Sequence, residues 1–443
     1  MKTKNIIVKL KSSDTTQFVN PGGENNLMIQ LDQTDLNKMV KANLMRDLEK
    51  FNLVPNNTIY DLVHFALGIY TIDQVVSRQL NGFQGWSRHL VVDFPVHDPQ
   101  LWNNVSDDFA TYLSFLSGDK WEFVFRQNHE TRDFELPEDR NPANFTKVSL
   151  FSGGLDSFIG AIDLLSNHEK PFFVSHYKTS EKKVQDDLIN ALKDEFGENS
   201  YASQKFRVQP NQKNGLAEKE NSSRARSFLF ITLGIATANC LDDNIELILP
   251  ENGLISLNIP LTKSRLSSHS TRTTHPYFVD GLNKTFEKLR IRNTIVNPYR
   301  FKTKGQMIIE CEDREFLNQY ISETISCSHP ENSRFQGNRP GLNCGYCVPC
   351  IIRQSAENAS GNISTEYAID IKHAPPLQNI KKGADYRAFK MGLQKLSAIN
   401  SRHSLTLQII RSGPIPYENS EELEEYVSVY KRGMDEVSLF LTS

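Results

Sequence analysis

The chain has 443 residues, of which 38% are hydrophobic and 23% are charged, and its formal net charge is −3. This composition is typical of a globular protein with about two or three domains, and the apolar stretches are too short for the roughly 20 residues of a membrane-spanning helix. The nearly neutral charge disfavours bulk binding to nucleic acid, and the basic N-terminus lacks the apolar core of a signal peptide. Six cysteines, four of them in one cluster, indicate a reducing cytoplasm rather than a disulfide framework.

Residues 1–145 are predicted to form a separate α+β domain. Residues 87–96 and 120–126 are rich in β-forming residue types, and the stretch 98–117 between them has apolar residues at helical spacing. The polar, proline-containing stretch 129–144 has the composition of a linker. Because this region contains no catalytic constellation, we expect it to bind a partner.

From residue 148 onward, short apolar segments alternate with helical ones. The predicted strands are 148–151, 171–177, 205–210 and 245–250, and the predicted helices are 157–165, 180–196 and 222–241. Such alternation predicts an α/β fold with a doubly wound parallel sheet, which binds ligands at the carboxyl ends of its strands. We assign this domain to residues 146–360 and predict a helical extension over residues 361–443.

A glycine-rich turn, SGGLDS, follows the first of these strands and begins a helix. Gly153 and Gly154 have no Cβ atoms, so main-chain N–H groups at the helix N-terminus can surround phosphate oxygens. Ser152 and Ser157 add hydroxyl donors, and Asp156 could hold Mg²⁺ or orient the turn. An ordinary capped strand-to-helix turn is the alternative. The turn lacks the signatures of a Walker loop, a dinucleotide fold and a hydrolase elbow.

Four cysteines near the end of this domain have the spacing C-x16-C-x2-C-x2-C, and they are Cys327, Cys344, Cys347 and Cys350. Zinc bound by thiolates takes four ligands, and two short C-x-x-C steps can supply three of them from one knuckle. Four thiolates fill the coordination shell, so we expect a structural rather than a catalytic Zn²⁺. Reduced cysteines without a metal and an iron–sulfur site are the alternatives.

The turn SGGLDS resembles the loop of the PP-loop ATP pyrophosphatases, which have a HUP-like fold. Those enzymes cleave ATP between its α and β phosphates and adenylate an oxygen of a second substrate. The resemblance implies that the loop binds the pyrophosphate of ATP through Ser152, Gly153, Gly154, Leu155, Asp156 and Ser157.

The turn followed by SC…CGYCVPCIIR resembles the 7-cyano-7-deazaguanine synthase (QueC) family over residues 146–360. Arg353 stands where that family has a trailing arginine, and Arg224, in SSRARSFLFITLGIA, is closest to its helix-leading arginine, which implies a contact with ATP. The family uses ATP, Mg²⁺ and Zn²⁺. It adenylates the carboxylate of 7-carboxy-7-deazaguanine and introduces an ammonia-derived nitrogen, which gives an amide and then a nitrile.

The chain departs from that family in its first 145 residues, in its helical tail and in the segment 251–276. An extended chain of this kind resembles the QatC family of Qat anti-phage defence systems. This likeness implies a 7-deazaguanine-type substrate and protein partners from a defence operon. The added regions suggest that the amine acceptor is itself a protein.

Five further residues are candidates for the chemistry, and they are Glu251, Asn252, Arg272, His275 and Lys304. Glu251 and Asn252 follow a predicted strand, where a carboxylate could recognise a guanine-like edge. Arg272 could bind the substrate carboxylate or the α-phosphate, and His275 could accept a proton from the attacking amine. Lys304, with Lys302 two residues before it, could neutralise the charge of pyrophosphate. A polar surface loop and solvated lysines are the alternative.

The sequence therefore predicts a cytoplasmic, AMP-forming carbon–nitrogen ligase that acts on a 7-deazaguanine carboxylate. Two other functions stay open. A PP-loop enzyme that transfers sulfur to tRNA would need a reactive cysteine pair, which is found only within the cluster. A non-catalytic nucleotide-binding scaffold would need the loop but no chemistry.

Overall fold

The computed structural model describes residues 2–130, 132, 135–177, 181–211, 220, 222–261, 272–328, 342–362, 364–373, 383–399 and 401–442. Residues 262–271, which belong to the predicted polar segment 251–276, lie outside the described residues. The same is true of residues 329–341, between the first and second cysteines of the cluster.

The chain divides into two compact units. The first comprises Met1–Val148, Gln204–Leu247 and Phe278–Ile295, and the second comprises Ser149–Ser203, Ile248–Tyr277 and Val296–Ser443. Each unit takes segments from distant parts of the chain, so this division differs from the consecutive ranges 1–145, 146–360 and 361–443 predicted from the sequence.

The N-terminal part of the chain contains a parallel sheet with helices between its strands. The strands in this part of the chain are β1 (Thr3–Lys9), β2 (Asn26–Gln30), β3 (Val40–Ala42), β4 (His89–Val96) and β5 (Lys120–Gln127). The helices are α1 (Leu44–Glu49), α2 (Asn57–Val75), α3 (Arg78–Asn81), α4 (Pro99–Asn103) and α5 (Ser106–Ser117). Four strands pair in the order β2-β1-β4-β5, and every pairing is parallel. The predicted α+β arrangement is therefore corrected to α/β, because pairing partners cannot be read from strand composition.

An aromatic cluster forms the core of this sheet layer. The ring of Phe65, on α2, lies 4.9–5.5 Å from the rings of Phe94, Phe109, Phe123 and Phe125. These residues come from two strands and a second helix, and alternate positions along β4 and β5 point to one face of the sheet. Burial of large aromatic side chains thus holds the helices against the sheet.

A second sheet begins with the strand before the glycine turn. The remaining strands are β6 (Lys147–Leu150), β7 (Pro171–His176), β8 (Ala202–Phe206), β9 (Val208–Pro210), β10 (Leu247–Ile248) and β11 (Ile295–Val296). The sheet is parallel with the order β11-β10-β6-β7-β8, while β9 pairs antiparallel with β3. After β6 the chain adds β7 and β8 on one side and β10 and β11 on the other. The winding reverses beside β6, which is the switch point where such sheets bind ligands.

The remaining helices are α6 (Leu155–Ser166), α7 (Lys182–Phe196), α8 (Arg226–Leu241), α9 (Gly253–Leu257), α10 (Pro276–Lys288), α11 (Lys304–Ile309), α12 (Arg314–Tyr320), α13 (Val348–Ser360), α14 (Ala384–Ser397), α15 (Arg402–Ile409) and α16 (Ser420–Thr442). The described part of residues 361–443 contains α14, α15 and α16, which share an apolar core with α9 and α13. Among the described residues, no helix combines the length and apolar character that crossing a membrane requires.

Candidate functional site

The loop after β6 turns at Gly153, whose φ of +83° lies in the left-handed region that favours glycine. A Cβ atom there would lie 3.2 Å from Cγ of Gln185, a fully buried side chain. Gly154 is the N-cap of α6, and the helix begins at Leu155. The SGGLDS sequence therefore forms a turn between the carboxyl end of β6 and the N-terminus of a 12-residue helix.

Two serines of the loop hold its main chain. Ser157 Oγ accepts the Ser152 N–H (3.2 Å) and donates to the Gly154 carbonyl (2.9 Å). Ser152 Oγ accepts the Gly154 N–H (3.2 Å) and lies 3.1 Å from Ser157 Oγ. In this structure the serine hydroxyl oxygens accept hydrogen bonds from main-chain N–H groups of the turn. Phosphate oxygens are also acceptors, so a bound phosphate could take the place of the hydroxyls at these N–H groups.

A third serine reaches the loop from a distant part of the chain. The Leu155 N–H donates to Ser326 Oγ at 3.1 Å, across 171 residues of sequence. The Ile325 N–H donates to the Gly153 carbonyl at 3.0 Å. Residues 325 and 326 therefore fix the glycine turn from outside it.

Asp156, in the first turn of α6, is the centre of a buried polar group. Lys304 Nζ donates to its Oδ1 as a buried ion pair, and Asn252 Nδ2 donates to its Oδ2 at 2.7 Å. Asp156 is 6% exposed and Lys304 is 2% exposed, so water screens their attraction weakly. Burial opposes ionisation of Asp156, but Lys304 and the hydrogen-bond donors outweigh it, and the pKa of Asp156 is lowered.

Glu251 belongs to the same group, and its pKa is raised. Burial, the charge of Asp156 and a hydrogen bond between the two carboxyl groups raise the pKa of Glu251 well above its ordinary value. Glu251 therefore stays protonated at pH values where an ordinary glutamate has ionised, and it donates to Asp156. A neutral carboxyl group can donate as well as accept, whereas the predicted recognition of a guanine-like edge assumed a carboxylate that only accepts.

A helix cap positions Asn252 between these carboxyl groups. Asn252 is the N-cap of α9, where its Oδ1 accepts the Ile255 N–H at 3.0 Å. This bond leaves its Nδ2 to donate to Asp156 and, at 3.2 Å, to Glu251 Oε1. Asn297 Nδ2 donates to the Glu251 carbonyl at 2.9 Å and so holds the main chain that follows β10.

A second cap positions Lys304. Thr303 and Gln306 form a capping box at the start of α11, which places Lys304 at the first helical position. Lys302, only two residues earlier, has a different environment. Its side chain is 38% exposed and pairs with Glu310 at 2.8 Å. The structure thus brings Lys304, and not Lys302, to Asp156.

Both carboxylate oxygens of Asp156 have partners, Lys304 at Oδ1 and Asn252 at Oδ2. Magnesium binds oxygen ligands in a nearly octahedral arrangement and would compete with these donors. In this conformation Asp156 orients Lys304 and Asn252, and its role as a Mg²⁺ ligand stays a prediction.

The four predicted cysteine ligands meet in one group. All four Sγ atoms lie within 4.8 Å of one another. Cys327 and Cys347 are 3.9 Å apart, and Cys344 and Cys350 are 3.8 Å apart. Four sulfurs bound at about 2.3 Å to a tetrahedral zinc ion are about 3.8 Å from each other, so the observed spacing fits one such ion. Four thiolates leave no open position for catalysis at the metal.

Local backbone geometry shapes this knuckle. Gly345 has a φ of +85°, and a Cβ atom there would lie only 2.1 Å from the Ile369 carbonyl oxygen, so only glycine fits. Cys347 is the N-cap of α13. The Cys344 N–H donates to Cys327 Sγ at 3.4 Å, a bond that favours the thiolate form.

Arg353, which the motif resemblance singled out, is fully buried on α13. Its guanidinium donates to the carbonyls of Thr324 (2.7 Å) and Ile321 (2.5 Å) and pairs with Glu357 at 2.7 Å. These bonds tie α13 to the segment that leads into Cys327. Arg353 therefore stabilises the knuckle.

His275 is fully buried, and both ring nitrogens have partners. Nε2 lies 3.0 Å from Ser412 Oγ, and Nδ1 accepts the Tyr277 N–H at 3.2 Å. Burial and the nearby charge of Arg272 lower the pKa of His275 to about 3, so the ring is neutral at pH 7. This geometry favours a structural role for His275, and its proton transfer from the attacking amine stays a prediction. Arg272 is half-buried, and its binding of a substrate carboxylate stays a prediction.

Arg224 lies in the first unit and contacts residues of that unit. Its N–H donates to Asp73 at 2.7 Å, its Nη1 donates to the Ser117 carbonyl at 2.7 Å, and its guanidinium lies 5.3 Å from the centre of the Trp86 ring. These contacts give Arg224 a role in packing. Its predicted contact with ATP stays a prediction based on the resemblance alone.

Reasoning from the sequence missed Ser326, Asn297 and Asn343, although a signal for each was present. Ser326 and Asn343 directly precede Cys327 and Cys344, two of the four cysteines that could hold a metal, and Asn297 directly follows β11. Neighbours of metal ligands often orient those ligands, so such positions are candidates even where the residue type is common.

Comparison of the chain with protein-family models gives no match, and comparisons with curated proteins and with solved structures give none either. The likeness to PP-loop enzymes therefore depends on the turn and the cysteine spacing. The geometry of the residues around Asp156 is an independent argument, and it does not depend on any relative.

Proposed function

We propose that the second unit is an AMP-forming ligase that binds ATP at the SGGLDS turn and adenylates the carboxylate of a 7-deazaguanine. The observation that carries this proposal is the meeting of the turn, Asp156, Lys304 and Glu251 at the carboxyl ends of adjacent parallel strands. Beside a switch point, such an edge is the usual ligand site of a doubly wound sheet. The motif likeness to the QueC family suggests the substrate.

The charges around the turn suit an anionic ligand. Lys304 neutralises Asp156, and Glu251 keeps its proton, so these two acidic side chains add no net negative charge. The N-terminus of α6 adds the positive end of the helix dipole. Main-chain N–H groups and the Ser152 hydroxyl would hold the pyrophosphate oxygens, and Ser157 would join them by moving its proton from the Gly154 carbonyl to a phosphate oxygen.

The proposed reaction has two steps. A carboxylate oxygen attacks the α-phosphorus of ATP, the bond to the bridging oxygen breaks, and pyrophosphate leaves with the electron pair. A nitrogen nucleophile then attacks the acyl carbon, AMP leaves and one proton is released, which gives an amide. Donors at the turn would stabilise the pyrophosphate as its charge develops. Where the nucleophile is ammonia, the oxygen of the primary amide would attack the α-phosphorus of a second ATP and displace pyrophosphate. AMP would then leave with that oxygen, and the nitrogen would lose its two protons, which gives a nitrile.

The proposal includes Mg²⁺ with the bound ATP and Zn²⁺ in the cysteine group, where zinc would supply structural cross-linking. It also includes a cytoplasmic location, an anti-phage defence setting and a protein as the amine acceptor. The first unit is the candidate for binding that partner, since it contains the chain's additional parallel sheet.

The cysteines disfavour sulfur transfer as the activity. Burial raises the pKa of Cys240 to about 12 and also raises that of Cys311. A nucleophilic sulfur must be a thiolate, so neither residue suits that role. The other four cysteines belong to the metal-ligand group.

A glycine substitution with a matched control tests the proposal. Gly153→Ala strains a φ of +83° at the turn, and Gly197→Ala strains a φ of +89° at the end of α7, where no atom lies within 4 Å of the added Cβ. Each change should destabilise the protein by about 1 kcal/mol. We expect only Gly153→Ala to abolish AMP and pyrophosphate formation from ATP and 7-carboxy-7-deazaguanine.

Equal AMP release from Gly153→Ala and wild type would exclude the turn as the ATP site. If ATP remained intact with the carboxylate substrate and every amine supplied, the unit would be a nucleotide-binding scaffold rather than a ligase.

A further inference from the structure

We infer that Ser326 is a positioning residue of the phosphate site and that metal binding at the four cysteines determines how tightly the glycine turn holds pyrophosphate. This inference rests on the proposed function, because it assigns a control to the same loop. It starts from two hydrogen bonds that join the turn to residues immediately before Cys327.

The first of these bonds defines what Ser326 can do. Its Oγ accepts the Leu155 N–H at 3.1 Å, at the N-terminus of α6. A hydroxyl that accepts in this way still has one proton to donate. Ser326 can therefore accept from the N-terminus of α6 and, at the same time, donate its O–H to a phosphate oxygen bound beside it.

The position of Ser326 depends in turn on the knuckle. The Ser326 N–H donates to Asn343 Oδ1 at 3.1 Å, and Asn343 Nδ2 donates to the Thr324 carbonyl at 3.3 Å. One residue further along each segment, the Cys344 N–H donates to Cys327 Sγ at 3.4 Å. Two short segments, 324–327 and 343–344, are thus joined both by hydrogen bonds and by metal ligands.

Electrostatics explains why the metal matters for this arrangement. Four sulfurs within 4.8 Å of one another repel strongly as thiolates, and a bound divalent cation cancels that repulsion. Three of the cysteines lie together at the start of α13, while Cys327 comes from a separate segment and is the most exposed of the four. Loss of the metal should therefore release the Cys327 segment first, and Ser326 with it.

Pyrophosphate binding measured by calorimetry on the full-length protein tests the inference. With zinc bound, Ser326→Ala should weaken pyrophosphate binding about tenfold, the effect of losing one hydrogen bond to a charged group. Ser326→Thr should restore most of the affinity, because it keeps the hydroxyl. Ser328→Ala, an exposed serine two residues away, should bind like wild type. Zinc content and melting temperature should be equal in all four proteins.

Removal of zinc by a chelator under reducing conditions provides the coupling measurement. Wild type should lose about as much affinity as Ser326→Ala loses, and Ser326→Ala should lose little more, since two changes that act through one contact are not additive. Equal losses in both proteins would show that the metal does not act through Ser326. Wild-type affinity in Ser326→Ala would remove the residue from the site.

Amide hydrogen exchange separates a failure of this inference from a failure of the proposed function. If zinc-loaded wild type bound neither pyrophosphate nor ATP, the proposed function would fall, and Ser326 would lose its assigned role in the phosphate site. The structural coupling would still be measurable, because the Leu155 and Ile325 amides should exchange faster in the chelated protein. Unchanged exchange at both amides would overturn the coupling itself.

Discussion

Each unit contains a buried cluster of charged side chains, and the two clusters differ in their balance of charge. In the first unit, Arg78 and Arg88 each pair with both Asp73 and Asp119 at 2.6–2.8 Å, and all four side chains are at most 4% exposed. Two further side chains add one charge of each sign and are Glu220, 3.6 Å from Arg78, and Arg224, whose pKa responds to Asp73 and Asp119. In the second unit, Asp156 pairs with Lys304, and Glu251 is hydrogen-bonded to Asp156, so two acidic side chains accompany one ammonium group.

This difference changes the protonation of the two clusters. Burial opposes ionisation of Asp73, but the two arginines outweigh it and lower the pKa of Asp73 to about 2, so the balanced cluster keeps all its charges. The second cluster has more acidic than basic side chains, and the raised pKa of Glu251 lowers its negative charge by keeping that carboxyl group protonated. Clusters of the first kind fix structure, whereas carboxyl pairs with separated pKa values are typical of sites that perform chemistry.

The largest effect on stability is expected from the balanced cluster. Asp119→Ala leaves Arg78 and Arg88 with excess buried positive charge, and it should lower the free energy of unfolding by about 3–5 kcal/mol. Chemical denaturation measures this change. The control is Asp187→Ala, which removes an exposed carboxylate 3.8 Å from Lys183 and should change stability by less than about 1 kcal/mol. Similar values for the two variants would contradict the structural role of the cluster.

Asp156→Asn should show the opposite balance of effects, a large loss of activity with a smaller loss of stability. We expect AMP formation to fall on the order of 100-fold, because Lys304 and Asn252 lose the carboxylate that orients them. Stability should fall by less than about 2 kcal/mol, because Glu251 no longer faces a neighbouring anion and can ionise to pair with Lys304. Denaturation and AMP release are measured on the same preparations.

The double variant Asp156→Asn with Glu251→Gln tests that compensation. Lys304 then has no carboxylate to pair with in this group, so the double variant should be about 3–5 kcal/mol less stable than wild type. A double variant as stable as Asp156→Asn alone would show that Glu251 does not take over the ion pair.

The pH dependence of stability should report the proton on Glu251. Because its folded pKa is raised, the folded protein keeps a proton that the unfolded chain releases once the pH exceeds the ordinary glutamate value. The free energy of unfolding therefore falls as the pH rises from about 4.5 through the folded pKa of Glu251. Glu251→Gln cannot ionise, so its stability should decline less than that of wild type between pH 5 and about pH 8 in thermal melts. Parallel curves would mean that Glu251 is ionised in the folded protein.

The turn, the parallel second sheet and the cysteine group were predicted because their signals are local or periodic. A glycine at positive φ, a short apolar strand and a C-x-x-C step each specify geometry within a few residues. The cluster around Asp156 was only partly predicted, since its contacts span 96 and 148 residues of sequence and its protonation depends on burial. His275 shows the same limit, because Ser412, which bonds its ring, lies 137 residues later.

The smallest effect is expected at Lys302, and it sharpens the distinction between an exposed and a buried charge. Lys302 and Lys304 are two residues apart, and sequence alone made either a candidate for neutralising pyrophosphate. Lys302 forms an exposed pair with Glu310, so Lys302→Ala should change stability by less than about 1 kcal/mol and AMP formation by less than about twofold. Lys304→Ala removes the cation that Asp156 requires, and it should reduce AMP formation on the order of 100-fold. Equal losses of activity in both alanine variants would mean that local positive charge matters more than the buried ion pair. The charge balance of the Asp156 group would then not explain why this cluster, and not the one around Asp73, performs chemistry.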